Sequence, residues 1–149
     1  MTLLAILLAA QVAAPGGPSA ALAAATTLRC EFLVSSTGSW SEGAARAQIA
    51  PATLRIVFAA INTDEGTAEA AGGMGTSDII ARLSSTGLHF IQMFRDGPLY
   101  VTTVFAQESR PGKLKAVHTR HEENGVKIPG FTSSPEQYYG ECEIGRAGD

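Results

Sequence analysis

Two histidines and an arginine lie close together in the stretch KAVHTRHEENG, residues 115–125, of a chain that holds three histidines in all. If this stretch is a β-strand, alternation places His118 and Arg120 on one face, in line with Leu114, and turns His121 to the other face. The planar guanidinium of Arg120 suits a carboxylate or a phosphate, and a neutral imidazole can donate or accept a hydrogen bond near pH 7. The spacing therefore predicts that His118 and Arg120 line a pocket for a ligand.

A structural role is the alternative for the same residues. A histidine near the end of a strand commonly caps or pairs, and Arg120 would then form an ion pair with Glu141 or Glu143 on a neighbouring strand. We predict no metal site, because the two histidines face opposite sides of a regular strand and no nearby cysteine is free for coordination.

A second cluster, YYGEC at residues 138–142, combines aromatic and acidic side chains. Alternation places Tyr138 on the same face as Cys142 and turns Glu141 to the opposite face. Gly140 is typical of a β-bulge or of the close approach of another chain. We predict that Tyr138 and Glu141 take part in ligand binding; the alternative is that the tyrosines lie at the half-buried rim of a sheet.

No catalytic frame accompanies these clusters. The serines at 35–36 and 84–85 are candidate nucleophiles, but no G-x-S-x-G motif or acid–base partner at a fixed spacing surrounds them. The glycine-rich stretch AGGMG, residues 71–75, lacks the Lys-Ser/Thr that a phosphate-binding loop needs. We therefore predict a loop here, which could form a lid over a site, and we predict no cofactor.

Short apolar runs separated by turn residues must supply the elements that position these side chains. The runs are rich in β-branched and aromatic residues, which favour strands, and Asp-Gly at 96–97 is typical of a hairpin turn. The pattern predicts an all-β fold, a single antiparallel β-sandwich or small β-barrel of seven or eight strands. The predicted strands span 28–34, 53–61, 77–84, 88–94, 99–106, 113–122 and 137–144, and 67–70 is either a further strand or a helical turn.

Two stretches suggest what lies outside the core. TGSWSEG, residues 37–43, has the composition of a loop, and we expect Trp40 to serve there as a lid or plug at one end of the domain. LHFIQMF, residues 88–94, is apolar on both faces, which is typical of a strand in a covered sheet or at a subunit interface.

The N-terminal residues are predicted to be a secretory signal peptide. An apolar run at 3–14 is followed by a Pro-Gly-Gly-Pro break and by the small residues ALAAA, which is the usual order in such leaders. The run is well short of the roughly 20 residues that a membrane span needs. We predict a signal peptide at 1–25, cleaved after Ala23 or Ala25, and a single β domain at 26–149; an uncleaved anchor is the alternative.

Cysteine usage and charge indicate where the protein works. Cys30 and Cys142 are the only two cysteines, and an exported chain with an even number of cysteines is predicted to form a disulfide. The net charge is −3 and the isoelectric point is about 5.6. This balance argues against nucleic acid as a partner and against electrostatic attraction to a membrane after signal cleavage. We predict a periplasmic or secreted protein.

Three classes of function are compatible with these features. The first is a non-enzymatic binding or accessory protein that holds a small anionic or apolar ligand or a protein partner. The second is a small hydrolase-like enzyme that uses His118 and Arg120, for which a buried acidic partner of His118 would be the distinguishing feature. The third is a structural or assembly subunit, with a homodimer as one form of assembly, for which an exposed apolar patch or an unpaired edge strand would be distinguishing.

Overall fold

The computed structural model of the protein describes residues 16–73, 75–95, 97–123 and 133–145. Within these ranges the chain forms one short helix followed by eight strands. They are α1 (Pro18–Ala23), β1 (Leu28–Ser41), β2 (Ala44–Asn62), β3 (Thr67–Gly72), β4 (Gly75–Leu83), β5 (Gly87–Met93), β6 (Leu99–Arg110), β7 (Lys113–His121) and β8 (Glu136–Ile144). The predicted all-β class is confirmed, and of the two alternatives for 67–70 the strand is present, as part of β3, after a turn at 63–66.

The sheet closes on itself. Every strand pairs antiparallel with its neighbour in sequence, and β1 also pairs with β8, so the eight described strands form a closed barrel. Closure gives the sheet one inner face and one outer face. The inward positions of β1, for example, are Leu28, Cys30 and Phe32, all of which are buried. Between the two predicted alternatives, sandwich and barrel, the pairing of the first and last strands selects the barrel.

The predicted disulfide is confirmed and lies on this closing pair of strands. Cys30 and Cys142 are bonded, lie directly opposite each other in the β1–β8 register and have Cα atoms 4.0 Å apart. Both side chains point inward and are buried. The bond therefore joins the first and last strands from inside the barrel.

The hairpin of β1 and β2 differs from the sequence prediction. The stretch at 37–43 is wrong as a loop, because β1 continues to Ser41 and only Glu42 and Gly43 form the turn. Both turn residues have positive φ, 52° and 79°. Two-residue hairpin turns whose twist matches that of the flanking strands require such values. Trp40 lies in the strand opposite Ala45 and is 57% exposed, so it plugs neither end of the barrel.

The expectation of a covered sheet at 88–94 is also wrong for the described residues. In β5 the inward Leu88 and Phe90 are buried, whereas the outward Ile91 is half-buried and Met93 is 75% exposed. A single closed barrel buries only its inner face, so apolar residues on the outer face of β5 have no second layer to cover them.

A bulge in β1 explains the glycine of the YYGEC cluster. The register of β1 shifts between Phe32 and Val34 against both of its neighbours. At Gly140, opposite Phe32, a Cβ atom would lie 2.0 Å from the carbonyl oxygen of Glu31 and 2.6 Å from Cα of Phe32. The predicted close approach is therefore real, and the approaching backbone is strand β1.

The two ends of the barrel are built differently. Helix α1 packs against β5 and β6, and the residues after it are tied to the barrel where Ile61 N donates to the carbonyl of Thr26. Leu22 and Ala25 are buried there, with exposures of 1% and 4%. We call this the capped end. The opposite end, where β1 meets β2, β3 meets β4 and β5 meets β6, is the open end.

The first fifteen residues lie outside the described part of the chain, so cleavage of a leader remains a prediction. Among the described residues, no helix has both the length and the apolar character needed to cross a bilayer.

Candidate functional site

Strand β7 presents its side chains as the alternation predicts. Leu114 and His118 are buried inward, Arg120 is half-buried on the same face towards the open end, and His121 is exposed on the outer face. The structure therefore brings His118 and Arg120 together and separates them from His121.

His118 forms a hydrogen-bonded chain with two other side chains. Its Nδ1 lies 2.8 Å from Oγ1 of Thr102 on β6, the residue directly opposite in the strand register. Its Nε2 accepts a hydrogen bond of 3.2 Å from Nε of Arg120. Because a guanidinium can only donate, Nε2 of His118 must carry the lone pair. The proton of the neutral ring therefore sits on Nδ1 and is donated to Thr102.

The same environment keeps the imidazole neutral. Burial, followed by the positive charge of Arg120, lowers the pKa of His118 to about 3. Protonation would also place a second donor against the Nε–H of Arg120. His118 therefore acts as a fixed neutral acceptor around neutral pH, and no carboxylate of the described residues bonds to it.

Two tyrosines on the neighbouring strands flank Arg120. Its Cζ atom lies 5.1 Å from the ring centroid of Tyr100 on β6 and 5.1 Å from that of Tyr138 on β8. Cation–π attraction of this kind is stronger where water is excluded. The hydroxyl of Tyr138 donates to Glu136, and Arg120 takes part in further interactions besides these. Burial raises the pKa of Tyr100, so this ring remains neutral.

Tyr100, His118 and Arg120 border a cavity of about 480 Å³ at the open end of the barrel. A narrower space of about 20 Å³ continues inward from it to the stacked rings of Phe58 and Phe90, whose centroids are 3.9 Å apart. The walls are mainly apolar or small. The lining residues are Leu54, Arg55, Ile56, Ala70, Ala71, Gly72, Gly73, Gly75, Ser77, Gln92, Phe94, Tyr100, His118 and Arg120.

The charged side chains of this lining are both arginines, Arg55 and Arg120. Arg55 is 75% exposed and donates to Glu31 at 2.7 Å, so much of its charge is satisfied by that partner. Glu122 and Glu136 act on Tyr100 electrostatically but are not among the lining residues.

Glu141, which the sequence predicted as a ligand-binding residue, does not line the cavity. It is on the outer face of β8, where its carboxylate accepts from Nη2 of Arg110 at 2.7 Å and from the hydroxyl of Ser109. The hydrogen bond from Arg110, followed by that from Ser109, lowers the pKa of Glu141. The structure therefore does not bring Glu141 to the cavity, and it does not pair with Arg120. Tyr138 is inward, but it supports Arg120 rather than lining the cavity.

The glycine-rich stretch forms the turn between β3 and β4, and Gly72, Gly73 and Gly75 lie at the rim of the cavity. Gly75 has a φ of 99°, a left-handed conformation that glycine adopts without steric cost. The predicted loop is therefore confined to the turn between Gly72 and Gly75, and a lid function stays a prediction.

Four lining or supporting residues were not predicted from the sequence: Gln92, Tyr100, Thr102 and Arg55. A signal for three of them was present. Gln92, Tyr100 and Thr102 are polar or amphipathic residues at inward positions of otherwise apolar strands, where a buried polar group must find a partner. Their meeting with His118 depends on the register between strands, which alternation within a strand does not supply.

A serine–histidine pair occurs on the outer face. Oγ of Ser84 lies 3.1 Å from Nε2 of His89, and Nδ1 of His89 lies 3.0 Å from Oγ1 of Thr103. Ser84 also donates to the carbonyl of Gly87 at 3.0 Å within the β4–β5 turn. Since the third member is a neutral hydroxyl and Ser84 also bonds within its own turn, we interpret the pair as a turn contact rather than a nucleophile.

Comparison with known proteins does not assign the chain to a group. No protein-family model matches it, and no curated protein matches its sequence significantly. In the described part of the chain, no three His, Cys, Asp or Glu side chains are grouped so as to hold a metal ion.

Proposed function

We propose that the protein is a non-enzymatic binding protein that holds a small amphipathic ligand in the cavity at the open end of the barrel. The apolar body of the ligand would lie against Leu54, Ile56 and Phe94, and its polar group, which we take to be anionic, would lie near Arg120. The single observation that carries this proposal is the cavity of about 480 Å³, with mainly apolar or small walls, at the open end of the barrel.

The size and lining of the cavity support this function. Cavities that hold small ligands commonly measure about 300–1,000 Å³ and have mostly apolar walls with few polar groups. Here most of the polar groups lie on one side, on β4 to β7, and include Ser77, Gln92 and His118, whereas Arg55 on β2 is paired with Glu31. Such an arrangement fixes the orientation of a ligand that has one polar end.

Acid–base chemistry is poorly supported by the same residues. A general acid or base is most effective when its pKa lies near the working pH, whereas burial holds the pKa of His118 at about 3. Among the described residues the partners of His118 are Thr102 and Arg120. The buried acidic partner that would distinguish an enzyme is not among them, so we favour binding over hydrolysis.

The disulfide supports a setting outside the cytoplasm. Structural disulfides form and persist in oxidising compartments, and the bond between Cys30 and Cys142 is buried in the barrel. We propose a periplasmic or secreted location, which fractionation of the expressing cells would test.

Displacement of a neutral fluorescent probe would test ligand binding. N-phenylnaphthylamine should bind the purified protein with one-to-one stoichiometry and gain fluorescence, and octanoate should displace it. Gln92→Trp, which fills the cavity from its wall, should abolish uptake. Met93→Trp, next in sequence but on the outer face and 75% exposed, is the matched control and should bind normally.

Two results would contradict the proposal. Either wild-type protein takes up neither probe nor octanoate at millimolar concentration, or Gln92→Trp that retains a cooperative thermal transition binds as well as wild type.

A second candidate function, assembly with another copy, is favoured by the free edge of β2. Residues 44–56 pair with β1 on one side, and among the described residues no strand pairs with them on the other. One face of this hairpin carries Val34, Trp40 and Ile49, exposed by 42%, 57% and 75%. Exposed edges and apolar faces favour association, although Pro51 on the same edge lacks the N–H that a partner strand needs.

Concentration-dependent sedimentation that Ile49→Lys abolishes would support assembly; a monomer at all concentrations would exclude it.

A further inference from the structure

We infer that Tyr100 and Gln92 are specificity-determining residues for an uncharged amide group on the ligand. The hydroxyl of Tyr100 would donate to the carbonyl oxygen of this amide, and the side-chain oxygen of Gln92 would accept from its N–H. This inference rests on the proposed ligand cavity and adds to it a second polar group of the ligand. Arg120 and the anionic end of the ligand take no part in it.

Strand pairing places the two side chains beside each other. Gln92 on β5 and Tyr100 on β6 are direct partners in the strand register, and the Cβ atoms of such partners lie about 4.5–5.5 Å apart. Both residues line the main cavity, and both also line the narrow space below it. Two polar side chains are therefore available at one place, where the main cavity narrows.

The protein itself uses neither polar end. Among the described residues, no group forms a hydrogen bond with the hydroxyl of Tyr100 or with the side-chain amide of Gln92. Tyr100 is only 5% exposed, and buried polar groups are normally hydrogen-bonded. A partner for its hydroxyl would therefore come from a molecule in the cavity.

The hydroxyl of Tyr100 is a positioned donor. The ring packs edge-on against Phe94 and His118, with centroid distances of 5.2 and 5.7 Å and interplanar angles of 70° and 71°, so its neighbours fix its orientation. Burial raises the pKa of Tyr100, and the hydroxyl keeps its proton at neutral pH. It therefore offers an O–H to an acceptor such as a carbonyl oxygen.

Gln92 supplies the complementary acceptor. Its side-chain oxygen accepts hydrogen bonds, and its nitrogen donates them. With a donor at Tyr100 and an acceptor on the adjacent strand, the matching ligand group carries an acceptor and a donor on neighbouring atoms. An amide does so, whereas a ketone or an ester has no N–H and a carboxylate has no donor at neutral pH.

Octanamide and 2-nonanone test this assignment in the displacement assay, because they share a heptyl chain and a carbonyl and differ only in an amino or a methyl group. Wild type should bind octanamide at least as tightly as 2-nonanone, although octanamide gives up more hydration. Gln92→Met, which keeps a side chain of similar length, should lower the octanamide affinity about tenfold and leave that of 2-nonanone unchanged. Tyr100→Phe should weaken both probes by a similar factor, since both present a carbonyl.

Thermal melts separate recognition from a structural role. Because the hydroxyl of Tyr100 bonds to no described residue, Tyr100→Phe should melt at the wild-type temperature or above it. Tyr139→Phe is the matched control. It makes the same change on the outer face, where the hydroxyl donates to Gln137 at 3.0 Å, and it should bind both probes as wild type does.

The failure of this inference is distinguishable from failure of the binding function. If Gln92→Met changes the two affinities equally or not at all, if Tyr100→Phe binds both probes as wild type does, or if Tyr100→Phe melts at a lower temperature than wild type, the inference is wrong while the binding function stands. Uptake of N-phenylnaphthylamine by each variant reports that its cavity is intact. If wild type binds neither this probe nor octanoate, octanamide or 2-nonanone, both are wrong.

Discussion

At the residue scale, His118 shows how neighbours decide what a titratable group can do. An imidazole in water is poised to exchange protons near neutral pH. Here burial and the adjacent Arg120 bring its pKa down to about 3, and Arg120, which can only donate, fixes its tautomer. The side chain is thereby converted from an acid–base group into a rigid hydrogen-bond link between Thr102 and Arg120.

The depressed pKa of His118 predicts a loss of stability in acid. Between its unfolded value of 6.5 and its folded value of about 3, the unfolded state binds a proton that the folded state does not. The free energy of unfolding should therefore be unaffected above this range and should fall as the pH falls through it, by up to about 1.4 kcal/mol per pH unit.

Urea denaturation of wild type and His118→Gln between about pH 7 and pH 4 measures this slope, which should be shallower in the variant by close to one proton. His121→Gln, at an exposed position on the same strand, is the control and should match wild type. Equal slopes in wild type and His118→Gln would show that His118 already titrates normally in the folded protein.

At the element scale, the seam between β1 and β8 has little space for added side-chain atoms. Its strands meet at the bulge of β1, and Gly140 lies directly against the backbone of Glu31 and Phe32. The same seam carries the disulfide, two residues away at Cys142. Pairing of β1 with β8 thus depends on glycine at position 140, which has no side chain, as well as on the disulfide.

Gly140→Ala should strongly destabilise the barrel. The added Cβ would lie 2.0 Å from a backbone oxygen, and neither strand can shift easily because both are paired on their other sides. We expect a loss of about 3 kcal/mol or more, or failure to fold.

Gly38→Ala is the matched control, since a Cβ there would meet its nearest atom, the carbonyl oxygen of Pro135, at an ordinary 3.7 Å. Its effect should stay within about 0.5 kcal/mol. Thermal melts of both variants decide the matter, and equal melting temperatures for the two would contradict the role of the seam.

At the scale of the whole molecule, the barrel has one closed end and one open end. Helix α1 and the residues after it cover the capped end with Leu22 and Ala25, and the cavity opens at the other end. A ligand would then enter and leave through a single mouth, past the turn between β3 and β4.

Burial of Leu22 bears on where a leader would be removed. Cleavage after Ala23 or Ala25 would take away a side chain that is 1% exposed, and loss of a buried leucine commonly costs about 2–5 kcal/mol. We therefore predict that a chain beginning at Gly16 is more stable than one beginning at Thr26, and that exported protein retains α1.

Thermal melts of the two chains and N-terminal sequencing of exported material provide the measurements. A mature N-terminus at Ala24 or Thr26, together with equal melting temperatures, would show that α1 is not part of the functional barrel.

The sequence by itself determined the strands and the direction of most side chains, because alternation is a local property. It placed His118 and Arg120 on the inner face and His121 on the outer face, and it predicted that Cys30 bonds to Cys142, the only other cysteine. It failed at 37–43, where a loop-like composition is overridden by pairing between β1 and β2, and a left-handed Glu42 completes the turn.

Only the tertiary structure decided which strands meet, and with that the site. Closure joins strands whose cysteines are 112 residues apart, and no local pattern encodes that register. The register sets Thr102 against His118 and Tyr100 against Arg120, and it leaves Glu141 bonded to Arg110 on the outside. The cavity has the same origin: it is the space left between side chains from β2 to β7 once the sheet has closed, so it exists only in the folded barrel.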